Sequence, residues 1–263
     1  MKKVILITGA SRGIGNNIAR SLAHENIVIA NYNKSKDEAK KLKADLKSEN
    51  IDIDIIKADV SNRTEVKEMI EGIITKYGKI DVLINNAGIS QYKLFTDITD
   101  EDWENIMNIN LKSNFIVTQE VVENMIANKN GLIINISSIG GSVPDISRIG
   151  YGVSKSGVNN ITQQIAMQYA KNKIRCNAVL PGMIATDAVA SNMPEDFQKS
   201  FLSHVPLNRM GKPEDIANAV AFFASDDSSY ITGCVMEVSG GYHLGTPQYA
   251  DFVGRKVAEN AKI

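Results

Sequence analysis

Val4-Ile5-Leu6-Ile7-Thr8-Gly9-Ala10-Ser11-Arg12-Gly13-Ile14-Gly15 is the stretch from which the rest of the chain is read. Four apolar, mostly β-branched residues read as a strand buried on both faces. Three glycines follow in the order Gly-x-x-x-Gly-x-Gly. They permit a tight turn and a close approach of backbone to a ligand. A helical pattern begins immediately afterwards. A strand, a glycine turn and a helix N-terminus together form a ready receptor for a pyrophosphate, because the helix end offers unpaired N–H groups and partial positive charge.

The same alternation continues outward. Short apolar runs at 4–8, 27–32, 51–58, 82–85, 132–136, 174–180 and 234–238 are separated by helical segments. Those segments fall at 14–25, 36–49, 62–77, 100–127, 151–171 and 213–224. This order predicts an α/β fold: a Rossmann-like, doubly wound parallel sheet of about seven strands with helices on both faces. Asn62 with Glu65, Thr99 before three acids, and Pro213 before Glu214 and Asp215 mark helix starts. With no linker or repeat, the expectation is one dinucleotide-binding domain over 1–241, followed by an extension over 242–263. Residues 186–210 interrupt the alternation and are expected to form a substrate lid.

The chain has 263 residues, 43% hydrophobic and 22% charged, with 19 glycines and 6 prolines, which excludes collagen-like and disordered classes. A net charge of −1 offers no attraction to nucleic acid or an anionic membrane, so neither is an expected partner. Apolar runs fall short of the ~20 residues that span a bilayer, and the opening residues lack a secretory apolar region. The expected compartment is the cytoplasm. Cys176 and Cys234 lie in strand-like stretches and are expected to be small buried thiols. His24, His204 and His243 have no metal-ligand spacing, so no metal is expected.

Thr8-Gly9-Ala10-Ser11-Arg12-Gly13-Ile14-Gly15 resembles the cofactor loop of the short-chain dehydrogenase/reductase family. Asn85-Asn86-Ala87-Gly88 resembles that family's motif at the end of the fourth strand. Asp59-Val60, Asn110, Ser138, Tyr151, Lys155 and Pro181-Gly182 also stand in family order, so the resemblance covers residues 3 to about 241. It implies a nicotinamide cofactor held by Gly9, Ser11, Arg12, Gly13, Ile14, Gly15, Asn31, Asn33, Asp59, Val60, Asn86, Ala87, Gly88, Tyr151, Lys155, Pro181, Gly182, Ile184 and Thr186. The stretch after the second strand reads Asn31-Tyr32-Asn33-Lys34, without the acid that binds an NAD ribose. Arg12 lies within the glycine loop, where a guanidinium suits a 2′-phosphate. NADP is therefore expected over NAD.

Tyr151 and Lys155 are four residues apart, on one helix face. A phenol with a pKa near ~10 is a poor proton carrier at neutral pH, and a neighbouring ammonium favours its ionised form. Ser138 can polarise a substrate carbonyl. The family resemblance makes Ser138, Tyr151, Lys155 and Asn110 catalytic, with Asn110 supporting a water-linked proton relay.

The resemblance implies a small-molecule ketone or alcohol as substrate. Overall the chain resembles bacterial hydroxysteroid dehydrogenases and 3-oxoacyl-acyl-carrier-protein reductases. The aromatic extension (Tyr242, Tyr249, Phe252) favours a rigid apolar ligand such as a bile acid. Lys129, Lys171, Lys173 and Arg175 are available to an acidic carrier protein, but the sequence has no arginine cluster. Arg148 is a candidate contact for an acidic substrate tail. A carrier-protein reductase is the alternative, and a non-catalytic NADP-binding regulator a third. The family implies a homotetramer built on the helical stretches 100–127 and 151–171.

Overall fold

A computed structural model describes residues 2–144, 147–186, 189 and 195–245. Its strands are β1 (Val4–Ile7), β2 (Ile27–Tyr32), β3 (Asp54–Lys57), β4 (Val82–Asn85), β5 (Gly131–Ile136), β6 (Ile174–Pro181) and β7 (Val235–Val238). They form one sheet in the order β3-β2-β1-β4-β5-β6-β7, and every pairing is parallel. The strand order reverses between β1 and β4, which opens a crevice at their carboxyl ends.

Helices cover both faces. They are α1 (Gly13–Ala23), α2 (Lys36–Ser48), α3 (Arg63–Tyr77), α4 (Asp100–Met107), α5 (Ser113–Asn128), α6 (Ile149–Tyr169), α7 (Glu195–Leu202) and α8 (Pro213–Ala224). Because strand side chains alternate, Ile5 and Ile7 pack with Ile18, Leu22, Leu42 and Phe223 of α1, α2 and α8. Val4 and Leu6 pack on the opposite side with Met69, Ile70, Val117 and Val121 of α3 and α5. Burial on both faces is why these strands read as continuous apolar runs.

Four features differ from the sequence reading. The edge strand β3 starts at Asp54 rather than at 51, because the Ile51 N–H closes the end of α2 on Leu46 O at 2.9 Å. Asn62 makes only half of the expected capping box. Its Oδ1 accepts from the Thr64 and Glu65 N–H groups, but the Glu65 carboxylate turns to the Asp59 N–H at 2.9 Å. The expected helix over 100–127 is interrupted by a π-helical turn, Asn108–Lys112, between α4 and α5. Such turns cluster at functional sites. Thr99 and Asp102 do form a reciprocal capping box, and Pro213 opens α8. Cys176 is buried, whereas Cys234 is only partly so.

A polar layer crosses the middle of the sheet. Asn135 of β5 is fully buried; it accepts from Asn85 Nδ2 at 2.9 Å and donates to Thr162 Oγ1 at 2.9 Å. Asn85 also donates to Thr118 Oγ1 at 3.0 Å. These bonds join β4, β5, α5 and α6 just below the strand ends that carry the site.

Candidate active site

The glycine loop leaves β1 at the strand-order reversal. Gly9 has φ +62°, and a Cβ there would stand 2.9 Å from Ala87 Cα, so a side chain is excluded twice over. The loop is fastened to the turn after β4. Asn86 Nδ2 donates to Thr8 O at 2.9 Å and Gly9 O at 3.0 Å, while Thr8 Oγ1 accepts from the Asn86 and Ala87 N–H groups. A Cβ on Gly15 would meet Gly9 O at 2.6 Å, so α1 begins hard against the loop. The N-terminus of α1 has no side-chain cap and no acid in its first turn. Its unpaired N–H groups therefore suit an anion.

Asn31 ends up behind this loop. Its Oδ1 accepts from the Gly9 N–H at 3.3 Å and its Nδ2 donates to Ala58 O at 3.0 Å, and the residue is buried. It positions the loop from within, while exposed Asn33 and Lys34 carry the outer surface at the end of β2. Partial burial pushes the Asp59 carboxyl up. Hydrogen bonds from Ser61 and Asn33 and the charge of Lys34 outweigh it and hold the group below its ordinary value. Val60 is buried next to it. Arg12 is exposed at the N-cap of α1, and its side chain makes no hydrogen bond or ion pair with any described residue.

Beyond β4 and β5 the four expected catalytic residues converge. Ser138 lies two residues past β5 and caps a short 3-10 turn, its Oγ accepting from the Gly140 N–H at 3.1 Å. The position of a Cβ on Gly140 is 3.5 Å from Ser138 Oγ and 3.6 Å from the Tyr151 ring edge, so the serine and the tyrosine share one small space. Lys155 Nζ donates to Ile136 O at 2.8 Å and stands 5.8 Å from the Tyr151 ring centroid. Burial draws its pKa down to about 8. The position of a Cβ on Gly88 is 3.3 Å from Asn110 Oδ1 and 3.5 Å from Lys155 Nζ, so these three residues also meet.

Asn110 comes from the π-helical turn. Its amide is spent inside the protein: Nδ2 donates to Ile89 O at 2.9 Å and to Ser154 Oγ at 3.1 Å, and Oδ1 accepts from the Ile89 N–H at 2.8 Å. Arg148 immediately precedes α6 and is partly buried, with its guanidinium 5.1 Å from the Tyr151 centroid and 5.3 Å from that of Tyr92.

The sixth strand completes the crevice. Thr186 Cγ2 reaches within 3.5 Å of a Cβ position on Gly13, and the Gly182 N–H donates to Val238 O at 3.0 Å. Ile184 is buried and bridges to Gly211, which closes the base of the excursion expected as a lid. From that excursion α7 presents Phe201, stacked on Tyr242 at 4.6 Å with planes 8° apart. His243 contacts the Glu237 carboxylate. Tyr249 and Phe252, singled out in the sequence, lie outside the described residues, as do positions 187, 188 and 190–194 of the expected lid.

Several functional positions escape the sequence reading. Thr8 and Ser154 are inconspicuous polar residues, and only the fold shows that they hold Asn86, Ala87 and Asn110. Tyr92, Leu94 and Phe95 are exposed apolar residues beyond β4, an unusual run for a surface loop. Conversely, Lys129, Lys171 and Lys173 sit before β5 and β6 and Arg175 is the second residue of β6, all at the amino ends of the strands and away from the crevice. Arg175 is committed there to Ile231 O and Phe223 O, both at 2.9 Å. Among the described residues no helix is long and apolar enough to cross a membrane.

Comparison with known proteins follows the same outline. A family model described as enoyl-(acyl carrier protein) reductase matches residues 9–243. A 7alpha-hydroxysteroid dehydrogenase of Paraclostridium sordellii is 53% identical over 261 residues, 98% of each chain. A 3-oxoacyl-(acyl-carrier-protein) reductase of Staphylococcus epidermidis is 39% identical over 245 residues, 93% of this chain and all (100%) of the other. The solved structure of gox2181 matches with a TM-score of 0.89 at 29% identity, covering 92% of this chain and 96% of that one.

Proposed function

The chain belongs to the short-chain dehydrogenase/reductase family, and from that premise we propose that it is an NADP-dependent hydroxysteroid dehydrogenase acting at the 7α-hydroxyl of a bile acid. The observation that carries this reading is the 53% identity, over 98% of both chains, to a 7alpha-hydroxysteroid dehydrogenase. The convergence of Ser138, Tyr151, Lys155 and Asn110 supports it.

The residues fit a dinucleotide. The uncapped N-terminus of α1 and the loop from Gly9 through Ser11, Gly13, Ile14 and Gly15 suit its pyrophosphate. Arg12 in the glycine loop, with Lys34 just past the end of β2, suits a 2′-phosphate. Asn33, Asp59 and Val60 would border the adenosine end. Asn86, Ala87, Gly88, Tyr151 and Lys155 would hold the ribose next to the nicotinamide, and Pro181, Gly182, Ile184 and Thr186 would border its ring. A bound nicotinamide supplies or accepts the hydride.

The protein's own residues manage the proton. Ser138 Oγ–H hydrogen-bonds the substrate oxygen and orients it toward Tyr151. Tyr151 takes the hydroxyl proton in oxidation and returns one in reduction. The Lys155 ammonium favours the Tyr151 phenolate. Because the Asn110 amide is spent on Ile89 and Ser154, its backbone carbonyl is the group left for a water-linked relay, and the π turn shapes that backbone. The exposed apolar residues Tyr92, Leu94 and Phe95 and the Phe201–Tyr242 stack offer apolar surface suited to a rigid steroid. Exposed Phe115 on α5 and Val153 and Met167 on α6 form apolar faces suited to a homotetramer interface.

A second reading, reduction of a 3-oxoacyl group on a carrier protein, is favoured by the 39% identity to such a reductase. Against it, the basic residues offered for an acidic carrier lie at the far end of the strands. A nicotinamide absorbance assay with a bile-acid panel and an acetoacetyl thioester separates the two. Oxidation of the 7α-hydroxyl with NADP, without thioester reduction, is the expected result. Thioester reduction with silence on steroids would replace this reading by the second.

A further inference from the structure

Residues 89–94 follow β4 and belong to no strand, yet they keep the two-residue period of an extended chain. Ile89, Gln91 and Lys93 are half-buried, whereas Ser90, Tyr92 and Leu94 are exposed. Three anchors hold the inner row. Ile89 is paired with the Asn110 amide. The Lys93 N–H donates to Ser147 O at 2.8 Å. Gln91 Nε2 and Lys93 Nζ both donate to the Asp102 carboxylate of α4. The outer row borders the site, since one guanidinium, that of Arg148, lies 5.3 Å from the Tyr92 centroid and 5.1 Å from that of Tyr151. Gln91, Lys93, Asp102 and Tyr151 also line one cavity of about 10 Å³, the scale of a single water.

Asp102 does more than its place in α4 requires. It completes the capping box with Thr99, accepting from the Thr99 N–H at 3.0 Å and from Thr99 Oγ1 at 2.9 Å. A cap needs nothing further. The contacts with Lys93 and Gln91 reach 9 and 11 residues back along the chain. Lys93 foremost, then the Thr99 N–H and Gln91, hold the carboxyl well below its ordinary value. Because side chains alternate, tying residues 91 and 93 inward obliges 92 and 94 to point outward. A slip of one residue would turn Tyr92 and Leu94 inward and carry Gln91 and Lys93 to the outer side.

We propose that Asp102 is a positioning residue for the substrate wall: its carboxylate holds Gln91 and Lys93 against α4 and so presents Tyr92 and Leu94, already ordered, beside Tyr151. The proposal deepens the reading of the crevice as a steroid site and rests on it for the choice of large substrate.

The test compares KM for a bile acid with KM for cyclohexanol, in the full-length enzyme at saturating NADP. Lys93→Met releases the wall and keeps the α4 cap. KM for the bile acid is expected to rise about three- to tenfold relative to KM for cyclohexanol, the cost of ordering freed side chains on binding. Neither kcat nor the Kd for NADPH should move appreciably. Asp102→Asn should give the same split, and the double variant no more than the larger single effect, because both changes remove one contact. Thr99→Ala weakens the cap but leaves Gln91 and Lys93 on the carboxylate, so it should lower the urea midpoint without the split. An unmoved KM ratio in Lys93→Met overturns the proposal, as do effects that multiply in the double variant. An equal split in Thr99→Ala also overturns it and reduces Asp102 to a helix cap. Gln91→Leu with Lys93→Met serves if the Asp102 variant does not fold. A wild type silent on bile acids would remove the substrate reading alone, and the same comparison would then be made with the acetoacetyl thioester as the large substrate.

Discussion

Asn110 and Ile89 are joined by two reciprocal hydrogen bonds: the Ile89 N–H donates to Asn110 Oδ1 at 2.8 Å, and Asn110 Nδ2 donates to Ile89 O at 2.9 Å. The pair pins the segment after β4 to the π-helical turn, directly beside Lys155. Asn110→Ala leaves both part-buried Ile89 backbone groups without their amide partner, each costing at most about 1–3 kcal/mol. The expected outcome is a lowered urea midpoint together with a fall in kcat. A variant as stable as the wild type would show that water replaces the amide without loss.

Tyr151→Phe removes one oxygen and leaves the ring contacts with Arg148 and Lys155 in place. Loss of general acid–base catalysis should lower kcat by about a hundred- to ten-thousand-fold. Fluorescence titration with NADPH should still report binding. Near-normal turnover would place the proton transfer elsewhere.

Desolvation draws Lys155 down from 10.5 to about 8. Between those values the unfolded chain binds more protons than the folded one, so this group's contribution to stability rises with pH across that window. Below it, the contribution is constant and unfavourable. Relative to Lys155→Met, the wild type should therefore gain roughly 2–3 kcal/mol between about pH 8 and about pH 10.5. Urea unfolding of both proteins across the window checks this. A difference that stays flat with pH would mean that Lys155 titrates as an ordinary lysine.

Arg12 stands exposed at the N-cap of α1, and the end of β2 carries no acid. Arg12→Ala should raise KM for NADPH at least about tenfold, as expected for a lost bond to a charged group, and leave KM for NADH nearly unchanged. Parallel loss with both cofactors would mean that Arg12 shapes the loop and does not read the 2′-phosphate.

The Phe201–Tyr242 stack ties α7 to the start of the extension. An aromatic pair is worth about 0.5–1.5 kcal/mol, so Tyr242→Ala should raise KM for a bulky steroid about three- to tenfold. KM for the cofactor should not move. Initial-rate kinetics with a steroid and a small ketone make the comparison, and equal effects on both substrates would separate the stack from the substrate side of the crevice.

Much of this protein is legible in one dimension. The seven apolar runs and the glycine loop lead to the sheet without long-range information, because strand burial and helix starts leave local patterns. The helix over 100–127 shows the limit. Its periodicity is continuous, yet the backbone opens into a π turn where Asn110 must reach Ile89. No local signal announces that reach. Asn31 shows it again, since its place beside the cofactor loop is readable but its turn inward, to Gly9 and Ala58, is not. Cys234 reads as strand core and proves partly open at the edge strand.

The sequence by itself determines the parallel α/β architecture, the anion-receiving turn and the helical spacing of Tyr151 and Lys155. Each is set by interactions among residues close in the chain: steric limits at glycine, period-two burial, one helical turn. Only the tertiary structure decides which distant groups meet. The stacking of the β4 and β5 segments against α6 places Arg148 between Tyr92 and Tyr151, buries Lys155 on Ile136 O, and carries Lys129, Lys171, Lys173 and Arg175 to the opposite end of the sheet. Those outcomes depend on strand order and register, which fix where each loop emerges, and on desolvation, which exists only once the core has closed.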